Sequence, residues 1–263
     1  MLHRATLSRI RPLPMSDPTF LSGVPAQTVL TALKRRPGND IASGKFDSPE
    51  SSSALVSNAF GWFLSRSAQL PPLPAVPMGQ PLAVELEAEV SFPWRGGRHP
   101  WLDVLIDTAT TLAGVSATRF EPFRPQKSVA FTEAFDSRDW GPGMAPFDTM
   151  RRALVSGDAQ FQTLNAAQLV KQAYGLRTQG IKRARGAVLV YLYAEPATWA
   201  SGKPVDPARI DRHRAEISRF AAAIHGADVS FAPVRWADLV AQWSAIPALS
   251  AHAAALTARF GGL

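Results

Sequence analysis

Apolar residues recur along the chain at two different periods, and the changes of period mark its elements. From Pro25 to Arg35, Val29, Leu30 and Leu33 stand at helical spacing, and Pro37-Gly38-Asn39-Asp40 predicts the helix end. A second helix is predicted to begin at Ser48 as N-cap, with Pro49 in the first turn and Glu50 beside the positive end of the dipole. Its inward stripe is Leu55, Val56, Ala59, Phe60, Phe63 and Leu64. Residues 68–81 hold five prolines and read as an extended connector. The period then drops to two: Val84 to Val90 alternates strictly, Leu102 to Thr108 alternates again, and Leu112 to Arg119 forms a third strand after a short turn. Three strands joined by tight turns predict an antiparallel meander.

Beyond a loop over 121–146, helices are predicted at 147–156 and 164–176. Ala187 to Ala194 is a near-continuous apolar run, the pattern of a strand buried on both faces. Asp206-Pro207 caps a long helix with Ile210, Ile217, Phe220 and Ile224 inward. Val229 to Val234 reads as a short strand, and helices at 236–244 and 247–260 follow. The fold class is therefore α/β: a central mixed sheet flanked by helices, with a helical C-terminal extension. Residues 1–24 lack periodicity and read as a flexible tail, with Met15 as a candidate true start; residues 25–263 read as one domain.

Composition narrows the class. Apolar residues make up 46% and charged residues 19%, as in soluble globular proteins, and no apolar run reaches the length of a membrane span. The absence of cysteine excludes disulfides and thiolate metal sites and fits a cytoplasmic location. A net charge of +7 suits a polyanionic partner. The basic residues gather in two groups, Arg95, Arg98, Arg119, Arg124 and Lys127 around the meander, and Arg177, Lys182, Arg183 and Arg185 after the 164–176 helix. Both groups are expected to border one cleft, with DNA or RNA as the partner.

Several chemical patterns lead nowhere. Glu85, Glu87 and Glu89 share a strand face, but the outer pair stands about 13 Å apart, too far for one ion; a solvated face is expected. Asp107 lies at the same separation from Asp103. His213, His225 and His252 lack ligand spacing, and His99, before Pro100, reads as a structural turn residue. Ser51 to Ser53 have no nucleophile-elbow context, and no Rossmann or P-loop fingerprint occurs.

The informative stretch is GGRHPWLDVLIDT (96–108) followed by a strand carrying Ser116 and Thr118. Together with SPESSSALVSNAFGWFL (48–64), RFEPFR (119–124), AAQLVKQAYGL (166–176), VLVYLYAEP (188–196) and RHRAEI (212–217), it resembles a bacterial restriction-endonuclease-like family of the PD-(D/E)XK nuclease superfamily, over roughly residues 25–260. The resemblance implies a restriction-endonuclease-like core with an acid on one strand facing an acid-x-Lys pair on the next. Asp103 falls on the first acid, whereas Ser116 falls on the second acid and Thr118 on the lysine.

Such a site holds Mg²⁺ through carboxylates and stabilises the extra negative charge with an ammonium group. Two hydroxyls supply neither, so the expectation is a nucleic-acid-binding protein with a degenerate phosphodiesterase site. Two residues are candidates to compensate: Glu50 as a further metal ligand, and Lys171, which with Gln168 resembles a Gln/Lys motif beside the catalytic strands. The alternatives are an active Mg²⁺-dependent endonuclease using Asp103, Glu50 and Lys171, or a non-catalytic scaffold. A homodimer is expected by analogy alone.

Overall fold

Antiparallel pairing organises the first half of the sheet. In the computed structural model, which describes residues 20–37, 40–125 and 130–263, Pro81–Glu89 (β1), Trp101–Thr108 (β2) and Thr111–Thr118 (β3) form the expected meander. The β2–β3 turn is so short that one side chain organises it: the Thr108 hydroxyl accepts from the N–H groups of Thr110 and Thr111 and donates to the Thr111 carbonyl. Most of the expected tail, the Gly38-Asn39 step and Lys127 lie outside the described residues.

Parallel strands complete the sheet, in the order β1-β2-β3-β4-β5. Gly186–Tyr193 (β4) pairs with β3 and with Val229–Arg235 (β5), both in parallel. Parallel neighbours need crossover connections. Helices Ala145–Ser156 (α3) and Ala166–Arg183 (α4) make the first crossover, and Pro207–Ala223 (α5) makes the second.

Each face of the sheet is covered by helices. Val188, Val190 and Leu192 of β4 pack with helices Ala26–Arg35 (α1), Ser52–Gly61 (α2), Trp236–Ser244 (α6) and Pro247–Phe260 (α7). Leu189 and Tyr191 pack with α3, α4 and α5 on the other side. This double coverage explains the unbroken apolar run of β4.

Two local features position the site. Helix α2 starts later than its sequence suggests. Ser51, not Ser48, is the N-cap and accepts from the Ala54 N–H, because Ser48 to Ser51 closes a separate turn in which the Ser48 hydroxyl accepts from the Glu50 N–H. Helix α4, which runs past its expected end at 176, lies unusually close to the β1–β2 hairpin: a Cβ on Gly175 would stand 2.5 Å from the Val90 carbonyl oxygen. Only glycine permits that approach, and it brings the N-terminal half of α4 over the ends of β2 and β3.

Candidate functional site

The register of β2 against β3 decides what meets Asp103. Val104 pairs with Val115, so Asp103 falls opposite Ser116, with Thr118 two residues further along. Backbone pairing between these strands ends at Val104, and the Asp103 side chain continues it: Oδ2 accepts from the Ala117 N–H at 2.7 Å. On the other side, β1 places Glu87 opposite Asp103, between the pairs Leu86–Val104 and Ala88–Leu102.

Glu87 is also where β1 changes face. Its φ is 49°, and while Leu86 packs in one core layer, Ala88 and Val90 pack in the other. Val104 and Leu102 divide between the layers in the same way. The strict alternation predicted a solvated Glu85–Glu87–Glu89 face; the turnover at Glu87 instead leaves that side chain only 5% exposed.

A guanidinium compensates this acidic pair. Arg36, the residue after α1, donates through Nη1 to Glu87 Oε2 at 2.9 Å and to Asp103 Oδ1 at 2.8 Å. Burial, then the Asp103 charge, push the Glu87 carboxyl up to about 7 against the opposing pull of Arg36. Burial works against the Arg36 charge, but Asp103 and Glu87 outweigh it and raise its pKa above the ordinary arginine value.

These groups form one wall of a cavity of about 710 Å³ between the end of α1, the start of α2, the ends of β2 and β3 and the start of α4. Two capped helix N-termini border it, since Ser52 and Ser53 open α2 and Asn165, the α4 N-cap, accepts from the Gln168 N–H. Glu121 contributes a further carboxylate beside Asp40, accepting from the Ser52 hydroxyl at 2.6 Å, the Thr118 hydroxyl at 3.1 Å and the Arg119 N–H at 2.8 Å. Behind it, the Tyr191 hydroxyl is 2.9 Å from His213 Nε2. Burial, opposed by Glu216 and Glu195, pulls His213 down to about 4, so this ring is neutral at physiological pH.

Of the residues singled out from sequence, Asp103, Ser116, Thr118 and Gln168 line this cavity. Glu50 and Lys171 do not. Glu50 accepts from Arg124 and from the Ala200 N–H, which anchors the loop after β4. Lys171 donates to the Ala130 carbonyl and lies 5.1 Å from the Phe131 ring centre, and burial lowers its pKa.

The two basic groups do not share a cleft. Gln168 and Arg183 are separated by fifteen residues of α4, roughly 22 Å at about 1.5 Å per residue. Arg183 and Arg185 pair with Asp107, at the opposite end of β2 from Asp103, and Arg177 pairs with Asp228. Lys182 is exposed beside them. Arg119, expected to meet phosphate, is 3% exposed and donates to the carbonyls of Pro49, Phe260 and Gly261; it clasps α7 to the start of α2. Arg124 is committed to Glu50 and covers the Trp199 ring. Arg95 and Arg98 remain exposed, on the β1–β2 hairpin at the cavity end of the sheet.

Arg36, Glu121 and Gln172 also line the cavity without having drawn notice in the sequence, and Glu87 drew notice only as part of a strand face expected to be solvated. Arg36 sits in an unremarkable helix end and Glu87 within a regular alternation, so neither carries a local signal. Gln172 lies one helical turn from Gln168 and shares its face, a relation that the spacing does contain. Among the described residues, no group of three or more His, Asp and Glu side chains is placed to hold a metal ion, and no helix is long and apolar enough to cross a membrane. Comparison with protein-family models, with curated proteins and with solved structures finds no match to this chain.

Proposed function

We propose that the chain is a nucleic-acid-binding protein with a restriction-endonuclease-like core whose phosphodiesterase site is degenerate. The observation that carries this reading is the state of Asp103. Both of its oxygens are engaged, one by Arg36 and one by the Ala117 N–H, and the neighbours at the expected second-acid and lysine positions are the hydroxyls of Ser116 and Thr118. A guanidinium thus supplies positive charge where a working site would bind Mg²⁺, and it does so permanently and without an exchangeable water. Losing one preorganised electrostatic group commonly costs about 10² to 10³ in rate, and here both the second carboxylate and the ammonium are replaced. The engagement of Glu50 and Lys171 elsewhere is why the active-endonuclease reading is not preferred.

Nucleic-acid binding draws its support from the +7 charge and from Arg95 and Arg98, which stand free of ion pairs among the described residues on the hairpin beside the cavity. DNA is the first candidate partner and RNA the second.

The test incubates the full chain with single- and double-stranded DNA, with and without Mg²⁺, and measures both cleavage and salt-dependent binding. Binding that weakens with salt and no cleavage in either condition is the expected result. Mg²⁺-dependent cleavage that disappears in Asp103→Asn would overturn the loss of activity. Absence of binding at low salt would overturn the nucleic-acid reading and leave a scaffold.

A further inference from the structure

Helix α5 carries a ridge of positive charge that no carboxylate cancels. Arg209, Arg212 and Arg219 fall within about 80° of one another around the helix, and all three are exposed. They lie outside the two basic groups that the sequence singles out. Other arginines are neutralised: Arg177 by Asp228, Arg183 by Asp107, Arg235 by Asp238 and, on α5 itself, Arg214 by Glu195 and Asp211. Among the described residues the ridge arginines form no ion pair, and the groups that hold them are neutral. Arg212 donates to the Gln162 side-chain oxygen; Arg219 donates to the Gln160 carbonyl and stands 4.2 Å from the Phe161 ring centre. Such partners fix a guanidinium without cancelling its charge, so less side-chain freedom is lost when it meets an anion.

The acids of the helix are engaged elsewhere. Asp206 caps its start by accepting from the Ala208 N–H, and Asp211 pairs with Arg214. Glu216, within the ridge, is 7% exposed and turned inward, accepting from the N–H groups of Gln162, Thr163 and Leu164 and from the Thr163 hydroxyl. That clasp seats the loop before α4 on α5. The loop joins the ridge to the cavity, since Gln162 holds Arg212 and the next residue, Thr163, lines the cavity. We propose that α5 holds the sugar–phosphate backbone of the nucleic acid and leads it over this loop to the cavity rim. The ridge is about 15 Å long, the rise of about four nucleotides at about 3.4 Å each. Contacts confined to the backbone carry no sequence preference. No large apolar side chain is exposed on α5, whereas a helix that binds a lipid surface buries an apolar face there. This inference rests on the nucleic-acid reading above.

Fluorescence anisotropy of the full chain with short single- and double-stranded DNA measures affinity across a salt series. Arg209→Ser with Arg212→Ser is expected to weaken binding about tenfold and to lower the magnitude of the log–log salt slope by about two. Arg138→Ser with Lys182→Ser removes the same charge from exposed positions off α5 and is expected to weaken binding less than about twofold, because distant charges are screened. Arg209 makes no side-chain bond to the described residues, so Arg209→Ser alone, expected to lower the slope by about one, decides the matter if the pair disturbs folding. Equal effects of the two pairs, or no effect of either, overturn the ridge and leave nucleic-acid binding standing. A parent chain that binds no DNA at low salt overturns the nucleic-acid reading itself. Binding to phosphatidylserine vesicles in that case, lost in the ridge pair, would assign α5 to a lipid surface instead.

Discussion

Arg36 and Asp103 lie 67 positions apart in the chain, yet Nη1 of the first stands 2.8 Å from Oδ1 of the second. The same nitrogen holds Glu87, so one guanidinium balances two carboxylates at the edge of the cavity. The consequences of that triad are measurable.

Replacing the cation is the first test. Arg36→Met leaves two adjacent acids without compensation, and the loss of a buried ion-pair partner is strongly destabilising. The Arg36 side chain is 36% exposed, so solvent screening reduces the cost to about 1–2 kcal/mol. Urea denaturation at pH 8 should show this loss, and Glu87→Gln added to Arg36→Met should recover most of it. A single variant as stable as the parent would contradict the triad's role.

The Glu87 carboxyl makes stability depend on pH with a definite sign. Its folded pKa is raised from the usual 4.5 to about 7, so between those values the folded state holds more protons than the unfolded chain. Stability from this group is complete below about pH 4.5 and is lost as pH rises through 7, by about 3 kcal/mol at most at 1.36 kcal/mol per pH unit. Denaturation midpoints from pH 4.5 to 8 should fall less steeply in Glu87→Gln than in the parent. Parallel curves would show that Glu87 titrates normally.

On the proposed reading of a degenerate nuclease site, restoring metal binding must contend with Arg36. Ser116→Glu with Thr118→Lys supplies the second carboxylate and the ammonium, but the guanidinium still occupies Asp103. The double variant should bind Mg²⁺ only weakly by calorimetry, and adding Arg36→Gln should tighten binding about tenfold or more, since it frees an acid for a hard cation. Equal binding with and without Arg36 would mean that Asp103 is not the ligand.

The arginines separate into structural and surface roles. Arg119→Met should cost about 2–4 kcal/mol, because three backbone carbonyls lose a charged donor, without changing the salt dependence of the proposed nucleic-acid binding. Arg95→Ser with Arg98→Ser should leave the melting temperature unchanged and reduce the magnitude of the log–log salt slope by about one per arginine that contacts phosphate. The opposite pattern would exchange their assignments.

Local patterns carried most of the architecture. The three alternating segments contain the meander, the apolar run at Ala187–Ala194 contains the central strand, and Pro207, Trp236 and Pro247 mark helix starts within a residue. Two local signals misled. Ser48 has the composition of an N-cap but closes a turn, since Ser51 three residues later competes for the same helix start. The even alternation around Glu87 conceals a residue in the left-handed region, which removes that side chain from solvent.

Hydrophobic periodicity reports which face of an element turns inward, and for this chain that was enough to order the helices and strands; the facing of Asp103 and Ser116 was an expectation from the family resemblance, and the β2–β3 register sets it. Periodicity says nothing about which distant charges meet. The pairing of Arg36 with Glu87 and Asp103, the commitment of Arg119 to three carbonyls, the pairing of Arg183 and Arg185 with Asp107 at the far end of β2 and the unpartnered oxygen of Gln172 all arise from long-range packing. Electrostatic partnership depends on distance in space and on burial, and both are set only when α1, the sheet and α4 close around the cavity.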